Sequence, residues 1–477
     1  MKRILCTCLF AAALGASLIT ATAQSTASVP KPNILFILAD DHRTDGIAAL
    51  GNPQLKTPVL DKLVERGVAF SRAYVMGSTV GAVCAPSRRM MQTGRSLYHL
   101  PPGNMNKGYK EFAEAVKGMT ENRDWSLLPR LMHANGYETI HVGKGGNECV
   151  PALEAYDINI IHSDPLPEER RLSSQRCADD LIKFFRQRKA DQPFFAYLAP
   201  PVPHDPRVAP ERFMDQYKPA DIPLPASYMP VHPFDNGEMT VRDEQLAPWP
   251  RTPEVIRRHL ADYYGCISGL DYHIGRIFDT LRELNQFANT FIIFAGDNGL
   301  SLGEHGLMGK QNLYENGGMH VPLVIAGPQI RHGKSDAFVY LYDLFPTICQ
   351  MGRVPVPPCA EGTSLLPLLE GGSIKQRDRL FTSYRDVQRA IRTDRWKLIR
   401  YPQVNETQLF DLQQDPHELK NLAGKPEYAE KVKEMMAMLA QAQKDCDDQC
   451  PLTVANPKPA QWTPPAKLPE KKGKKAS

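Results

Sequence analysis

The sequence predicts an α/β fold: a large, mostly parallel central sheet flanked by helices, with a smaller C-terminal subdomain of antiparallel sheet plus helix. Three observations carry this expectation. Continuous apolar runs of six or seven residues recur through the first 300 positions, and such runs suit strands buried on both faces of a parallel sheet. Helical patterns fill the gaps between them, which is the order of βαβ units. Beyond residue 372 the pattern changes to short apolar runs separated by turns, as in an antiparallel sheet.

The elements follow in order. Lys2 and Arg3 precede an apolar stretch, residues 4–19, and Ala21-Thr22-Ala23 then offers a small-residue cleavage site. Residues 1–23 therefore read as a signal peptide, too short in its apolar part for a comfortable membrane span. Export to the periplasm or outside the cell is expected, with no stable membrane span after cleavage. Four apolar runs are expected as strands: 33–39, 137–142, 193–199 and 290–295. Helices are expected over 124–134, 175–188 and 253–284. Residues 200–253 hold 13 of the 41 prolines. So long a segment without secondary structure is usually functional or disordered, and it is expected to run over the strand edge as one wall of a substrate cleft. Residues 24–372 make up the large domain. Residues 373–450 make up the subdomain, with strands near 380–384, 390–393, 396–400 and 408–412 and a helix near 426–442. Residues 451–477, with six prolines and six lysines, are expected to be a flexible tail, because so little apolar surface cannot order itself.

Composition narrows the function classes. At 23% charged and 42% hydrophobic residues the chain is globular, neither disordered nor fibrous. The formal net charge is +4. Setting aside the +2 of residues 1–23 and the +5 of residues 451–477 leaves −3 on the 427 residues between them. The globular part is mildly acidic, and no nucleic-acid partner is expected.

Ligands in open α/β sheets bind beyond the carboxyl ends of the strands. Asp40, Asp41, Lys144, His204, Asp297 and Asn298 all follow such ends. Together they suggest a site for a metal and an anion. Cys84 lies two residues before Pro86, which fits the first turn of a helix. A cysteine there faces backbone N–H groups and the positive end of the macrodipole, so it reads as an activated thiol.

The string Cys84-Ala-Pro-Ser-Arg88 resembles the signature of the type I sulfatases, in the alkaline-phosphatase-like superfamily, whose cysteine is oxidised after translation to formylglycine. The resemblance extends over most of the chain. It includes Asn33-Ile-Leu-Phe-Ile-Leu-Ala-Asp-Asp41, Thr57-Pro-Val-Leu-Asp61, Gly296-Asp-Asn-Gly299, Gly303-Glu-His-Gly-Leu-Met-Gly-Lys310 and Asp415-Pro-His-Glu-Leu-Lys-Asn-Leu422. It implies a calcium ion held by Asp40, Asp41, Asp297 and Asn298, with residue 84 completing the set. An all-oxygen set suits a hard cation on its own chemistry. It also implies that Arg88 stabilises the formylglycine and the bound anion, that Lys144 and Lys310 hold the sulfate, and that His204 lies near the leaving oxygen.

In the implied mechanism one hydroxyl of hydrated formylglycine, activated by calcium and Asp297, attacks sulfur. His204 or Lys310 protonates the departing alcohol, and loss of the second hydroxyl's proton releases sulfate. The implied partners are a formylglycine-generating maturation enzyme and a sulfate ester, with export pointing to a sulfated carbohydrate. One departure stands out. The family carries a histidine two or three residues after the first lysine, and this chain reads Lys144-Gly-Gly-Asn147. Asn147 cannot act as a base near neutral pH. His141 and His305 are candidates for the role, with His305 preferred because His141 sits on the opposite strand face from its neighbours. Tyr98, His99, Asn147, Tyr314, His320 and Arg385 are expected substrate contacts.

Setting aside Cys84 and the leader leaves seven cysteines, an odd number. Cys349 with Cys359 and Cys446 with Cys450 could close short loops, but sequence does not fix connectivity. Two other functions compete. A phosphodiesterase or phosphonate monoester hydrolase would belong to the same superfamily. A non-catalytic binder of sulfated polymer would keep Cys84 unconverted.

Overall fold

The fold is organised around one strand, Asn33–Ala39 (β1), buried along its whole length. The computed structural model describes residues 30–100, 110, 126–163 and 166–466. The expected leader, residues 1–23, and the end of the expected tail, residues 467–477, lie outside the described residues. Further strands are Val68–Tyr74 (β2), Gly77–Ser78 (β3), Glu138–Gly143 (β4), Ile158–Ile161 (β5), Phe194–Ala199 (β6), Thr290–Gly296 (β7), His320–Ala326 (β8), Gly333–Ser335 (β9) and Val339–Tyr340 (β10). The large sheet runs β10-β2-β8-β7-β1-β6-β4-β5, with β9 beside β2. From β7 to β5 every pairing is parallel. Strand β8 runs antiparallel to both β7 and β2.

Alternate residues of β1 serve two cores, as the period of two requires. Leu35 and Ile37 face helices Pro58–Arg66, Ser173–Gln187 and Pro253–Glu283 through Leu60, Leu181, Leu270 and Ile274. Ile34 and Phe36 face helices Cys84–Thr93, Leu128–Ala134 and Leu344–Met351 through Met90, Met132 and Ile348. Each such side chain contributes about 1.5–3 kcal/mol on burial. Helix Pro253–Glu283 starts where Thr252 accepts the N–H of Val255 and proline occupies the first turn, where its missing N–H costs nothing.

The smaller sheet runs β14-β13-β12-β11-β3, from Glu406–Asp411 (β14), Trp396–Tyr401 (β13), Gln388–Thr393 (β12) and Arg379–Tyr384 (β11). Its first four strands are antiparallel, as the sequence pattern predicts. Helix Ala429–Asp445 packs on it through Met435 and Leu439. The fifth strand, β3, comes from just before Cys84 and pairs parallel with β11. Gly77 makes this possible: its φ is +130°, and a Cβ there would meet the Ser383 carbonyl oxygen at 1.8 Å.

The described part of the tail, 451–466, is not free. Arg400 Nε donates to the Leu452 carbonyl at 2.7 Å, and Asn405 Nδ2 to that of Val454 at 2.9 Å. Asp235 N–H donates to the Ala460 carbonyl at 2.7 Å, and Trp462 lies edge-on to Trp249, with ring centroids 6.1 Å apart. The composition rule considers only what a segment buries against itself. Here a folded body offers the partners, joining the small sheet to the Pro-rich excursion. None of the eight described cysteines forms a disulfide, so neither short-loop pair is closed. No helix among the described residues is long and apolar enough to cross a membrane.

Candidate active site

The parallel strands end at one edge, and their chain continuations meet there. Beyond β1, the Asp40 N–H donates to the Val202 carbonyl at 3.0 Å, and the Asp297 N–H donates to the Ala39 carbonyl at 3.0 Å. This sets Asp40 and Asp41 beside Asp297 and Asn298. Gly296 permits the approach, since a Cβ there would meet the His42 carbonyl oxygen at 2.4 Å. Asp41 adopts φ +62°, a conformation that non-glycine residues hold only when their surroundings over-determine it. Its N–H donates to Asp297 Oδ1 at 2.9 Å, and its Oδ1 accepts from Asn298 Nδ2 at 2.7 Å.

Cys84 is the first residue of its helix and is fully buried. Burial pushes its thiol up, with Lys310 and Lys144 only partly offsetting that rise and Asp40 and Asp297 adding to it. Burial thus dominates at this position, a direction opposite to that expected from the helix terminus alone. One turn on, Arg88 is fully buried. Its Nε donates to Asp297 Oδ2 at 2.7 Å, its Nη1 pairs with Glu148 and donates to the Tyr197 hydroxyl at 3.1 Å, and its Nη2 lies 3.8 Å from Asp40. Lys144, after β4, pairs with Asp40 Oδ2. Lys310 pairs with Asp41 Oδ1 at 2.6 Å. Burial opposes the charge of both lysines, but neighbouring carboxylates raise Lys144 and hold Lys310 well above the ordinary ammonium range.

The carboxylates divide. Burial opposes ionisation of Asp40, yet the charges of Lys144, His204, Arg88 and Lys310 hold it well below the usual range. Burial pushes Asp297 up to about 6, with Asp40 adding to the rise and Arg88 opposing it. Two buried oxygens, Asp40 Oδ1 and Asn298 Oδ1, have no hydrogen-bond partner. Orphaned buried acceptors are costly. With Asp297 and Cys84 close by, this donor set fits a hard cation.

Above this floor lies a cleft of about 420 Å³, lined by Cys84, Asn147, His204 and Lys310 together with Arg242, Asp243, Gln311 and Tyr384. His204 Nδ1 faces the Asp205 carbonyl at 2.7 Å, and its Nε2 lies 3.8 Å from Asp41 Oδ2. The structure thus brings together Asp40, Asp41, Cys84, Arg88, Lys144, Asn147, His204, Asp297, Asn298 and Lys310.

Other expected residues lie elsewhere. His305 is stacked on Tyr314 with ring centroids 3.8 Å apart, and burial pushes it down to about 3. It does not line the cleft. Tyr314 is buried with its hydroxyl on Gln408 at 2.8 Å. His320 stacks on Tyr74. His99 bridges Glu361 and Asp447 at 2.8 Å each. Tyr98 donates to Ser383 Oγ at 2.8 Å, and Arg385 pairs with Glu238. None of these six lines the cleft. His141 is buried against Asn159 Oδ1 at 2.8 Å, on the strand face expected for it.

Sequence reading missed Glu148, Tyr197, Arg242, Asp243, Gln311 and Tyr384. Nothing local in the sequence singled them out.

The sulfatase family pattern matches residues 32–353, and the pattern described as N-sulphoglucosamine sulphohydrolase, C-terminal, matches residues 303–445. An N-acetylglucosamine-6-O-sulfatase of Bacteroides thetaiotaomicron is 25% identical, aligned over 88% of this chain and 88% of its own. A protein solved with its substrate D-glucosamine-2-N,6-O-disulfate superposes with a TM-score of 0.72 at 23% identity, over 88% of this chain and 99% of its own. The phosphonate monoester hydrolase of Agrobacterium radiobacter superposes with a TM-score of 0.73 at 22% identity, over 87% and 96%. The last two likenesses are of fold.

Proposed function

The chain belongs to the sulfatase family and is a sulfuric ester hydrolase, and from that premise we propose that it is an exported enzyme removing sulfate from a sulfated carbohydrate. The observation that carries this reading is the convergence of buried Asp40, Asp41, Asp297 and Asn298 with Cys84, Arg88, Lys144 and Lys310 beneath one cleft. The sugar is supported by the N-acetylglucosamine-6-O-sulfatase relative, and export by the leader pattern of residues 1–23.

Oxidation of Cys84 to formylglycine by a maturation enzyme would supply a hydrated aldehyde, with one hydroxyl for attack on sulfur and another for release of sulfate. Calcium would be held by Asp40, Asp41, Asp297 and Asn298 and would supply Lewis acidity there. The remaining work belongs to the chain. Lys144 and Lys310 each spend one N–H on a carboxylate, which leaves donors for the sulfate oxygens. Arg88 grips Asp297 Oδ2 and, with the Asp41 N–H on Oδ1, fixes the orientation of that carboxylate. His204 keeps Nδ1 on a backbone carbonyl, so Nε2 is the atom available to the leaving oxygen.

Two measurements test the reading. Mass spectrometry of the peptide containing residue 84, from protein made in its own host, should find the cysteine converted to the aldehyde. Parallel assays on sulfate, phosphate and phosphonate esters with calcium, zinc or chelator should favour sulfate and calcium. An unconverted Cys84, or phosphonate turnover driven by zinc, overturns it.

A further inference from the structure

One group at the cleft is unused so far. Arg242 opens the short helical turn Arg242–Leu246 in the Pro-rich excursion. Its side chain is 60% exposed at the cleft, yet it is not a loose surface cation. Both terminal nitrogens grip the Asp205 carboxylate, Nη1 at 2.8 Å and Nη2 on the other oxygen. Nη1 also reaches Asp243 Oδ1 at 2.8 Å. Two-pronged pairing of this kind fixes geometry as well as charge. Asp205 is 12% exposed; its backbone carbonyl meets His204 Nδ1 at 2.7 Å and its Oδ1 lies 3.5 Å from the same nitrogen, so both ends of Asp205 bear on the ring. The backbone beneath is pinned separately, by Arg170 donating to the His204 carbonyl at 2.7 Å. The chain Arg242, Asp205, His204 thus ends on the ring facing the leaving oxygen.

Resting on the sulfatase reading above, we propose that Arg242 is a positioning residue for leaving-group protonation: by clamping Asp205 it holds the His204 ring so that Nε2 meets the departing oxygen. In that step the S–O bond to the alcohol breaks, its electron pair stays on the alcohol oxygen, and the Nε2 proton moves to that oxygen. Asp243 extends the clamp across the cleft, because its other oxygen accepts from Gln311 Nε2 at 2.9 Å, next to Lys310. The excursion therefore sets the alignment between the group that protonates the alcohol and the group that holds the sulfate.

An acidic phenol leaves without help, whereas a sugar alkoxide needs the proton. The test compares kcat and KM for an aryl sulfate and a sugar sulfate in the wild type, Arg242→Gln, Asp205→Asn, the double variant and Arg242→Lys. Arg242→Gln should lose at least ~10-fold more kcat on the sugar sulfate than on the aryl sulfate, the scale on which misplaced general acids act. Asp205→Asn should show the same bias, the double variant should be no worse than the poorer single, and Arg242→Lys should recover part of the loss. Equal losses on both esters, a change confined to KM, or additive singles overturns the inference. A wild-type enzyme inactive on both esters overturns the sulfatase reading itself.

Discussion

At the scale of single residues, Arg88 is the pivot. It is 0% exposed and touches Asp297, Glu148, Tyr197 and Asp40 at once. Its position beside Cys84 was legible, because four residues along a helix return to one face. Its partner Glu148 was not, because nothing local says that the turn after β4 folds back under the helix. Burial pushes the Glu148 carboxyl up, although Arg88 and Lys144 oppose this. Glu148→Gln should leave Arg88 able to swing and lower kcat by about 10–100-fold, as losses of outer partners at metal sites do. Steady-state kinetics beside a circular dichroism spectrum checks it: an intact fold with unchanged kcat would refute the orienting role. Asn147 does line the cleft, as the sequence reading expected of a substrate contact. His305 fails to reach it because a stacking partner, Tyr314, competes for its ring.

At the scale of elements, the loop between β7 and β8 carries Asp297, Asn298 and Lys310, and its exit is tied to the small sheet. Lys397 on β13 lies 2.9 Å from Glu315 and 2.9 Å from Glu418. Glu315 also accepts from the Tyr74 hydroxyl at 2.5 Å, which connects both sheets through one buried network. Replacing Lys397 with Met strands Glu418 without its cation and leaves Glu315 with Arg392 alone, at 3.3 Å. The expected cost is about 3–5 kcal/mol, read by denaturant unfolding; a loss below ~1 kcal/mol would mean that the network is not a structural joint. Short apolar runs separated by turns located β11 to β14 well. They did not single out β8, where His320 and Pro322 interrupt the apolar run, nor the pairing of β3, whose two residues are too short for any pattern.

At the scale of the molecule, the fold buries imidazoles that do not line the cleft. Burial pushes His141 and His232 down to about 4 and His305 to about 3. In the unfolded chain they titrate near 6.5. As pH falls from ~6.5 toward 4 the unfolded chain takes up protons that the folded one refuses. Their contribution is therefore complete above ~6.5 and is lost as pH falls, by up to ~1.4 kcal/mol per pH unit for each histidine. Unfolding curves between pH 7 and 4.5 should show this slope, and His232→Gln should flatten it by about one histidine's share; an unchanged slope would rule His232 out. Sequence by itself determined the class of fold, the strands that are apolar on both faces, the smaller antiparallel sheet and the residues that follow the strand ends. It could do so because burial on a regular backbone leaves a period, and because strand order alone sends the chain to one edge of a parallel sheet. Tertiary structure decided which acid meets which base, that β3 joins the second sheet, that residues 451–466 strap the Pro-rich excursion, and that Arg242 stands behind His204. Those pairings join positions tens to hundreds of residues apart, where no local period records them and only the packed chain brings the charges within hydrogen-bond reach.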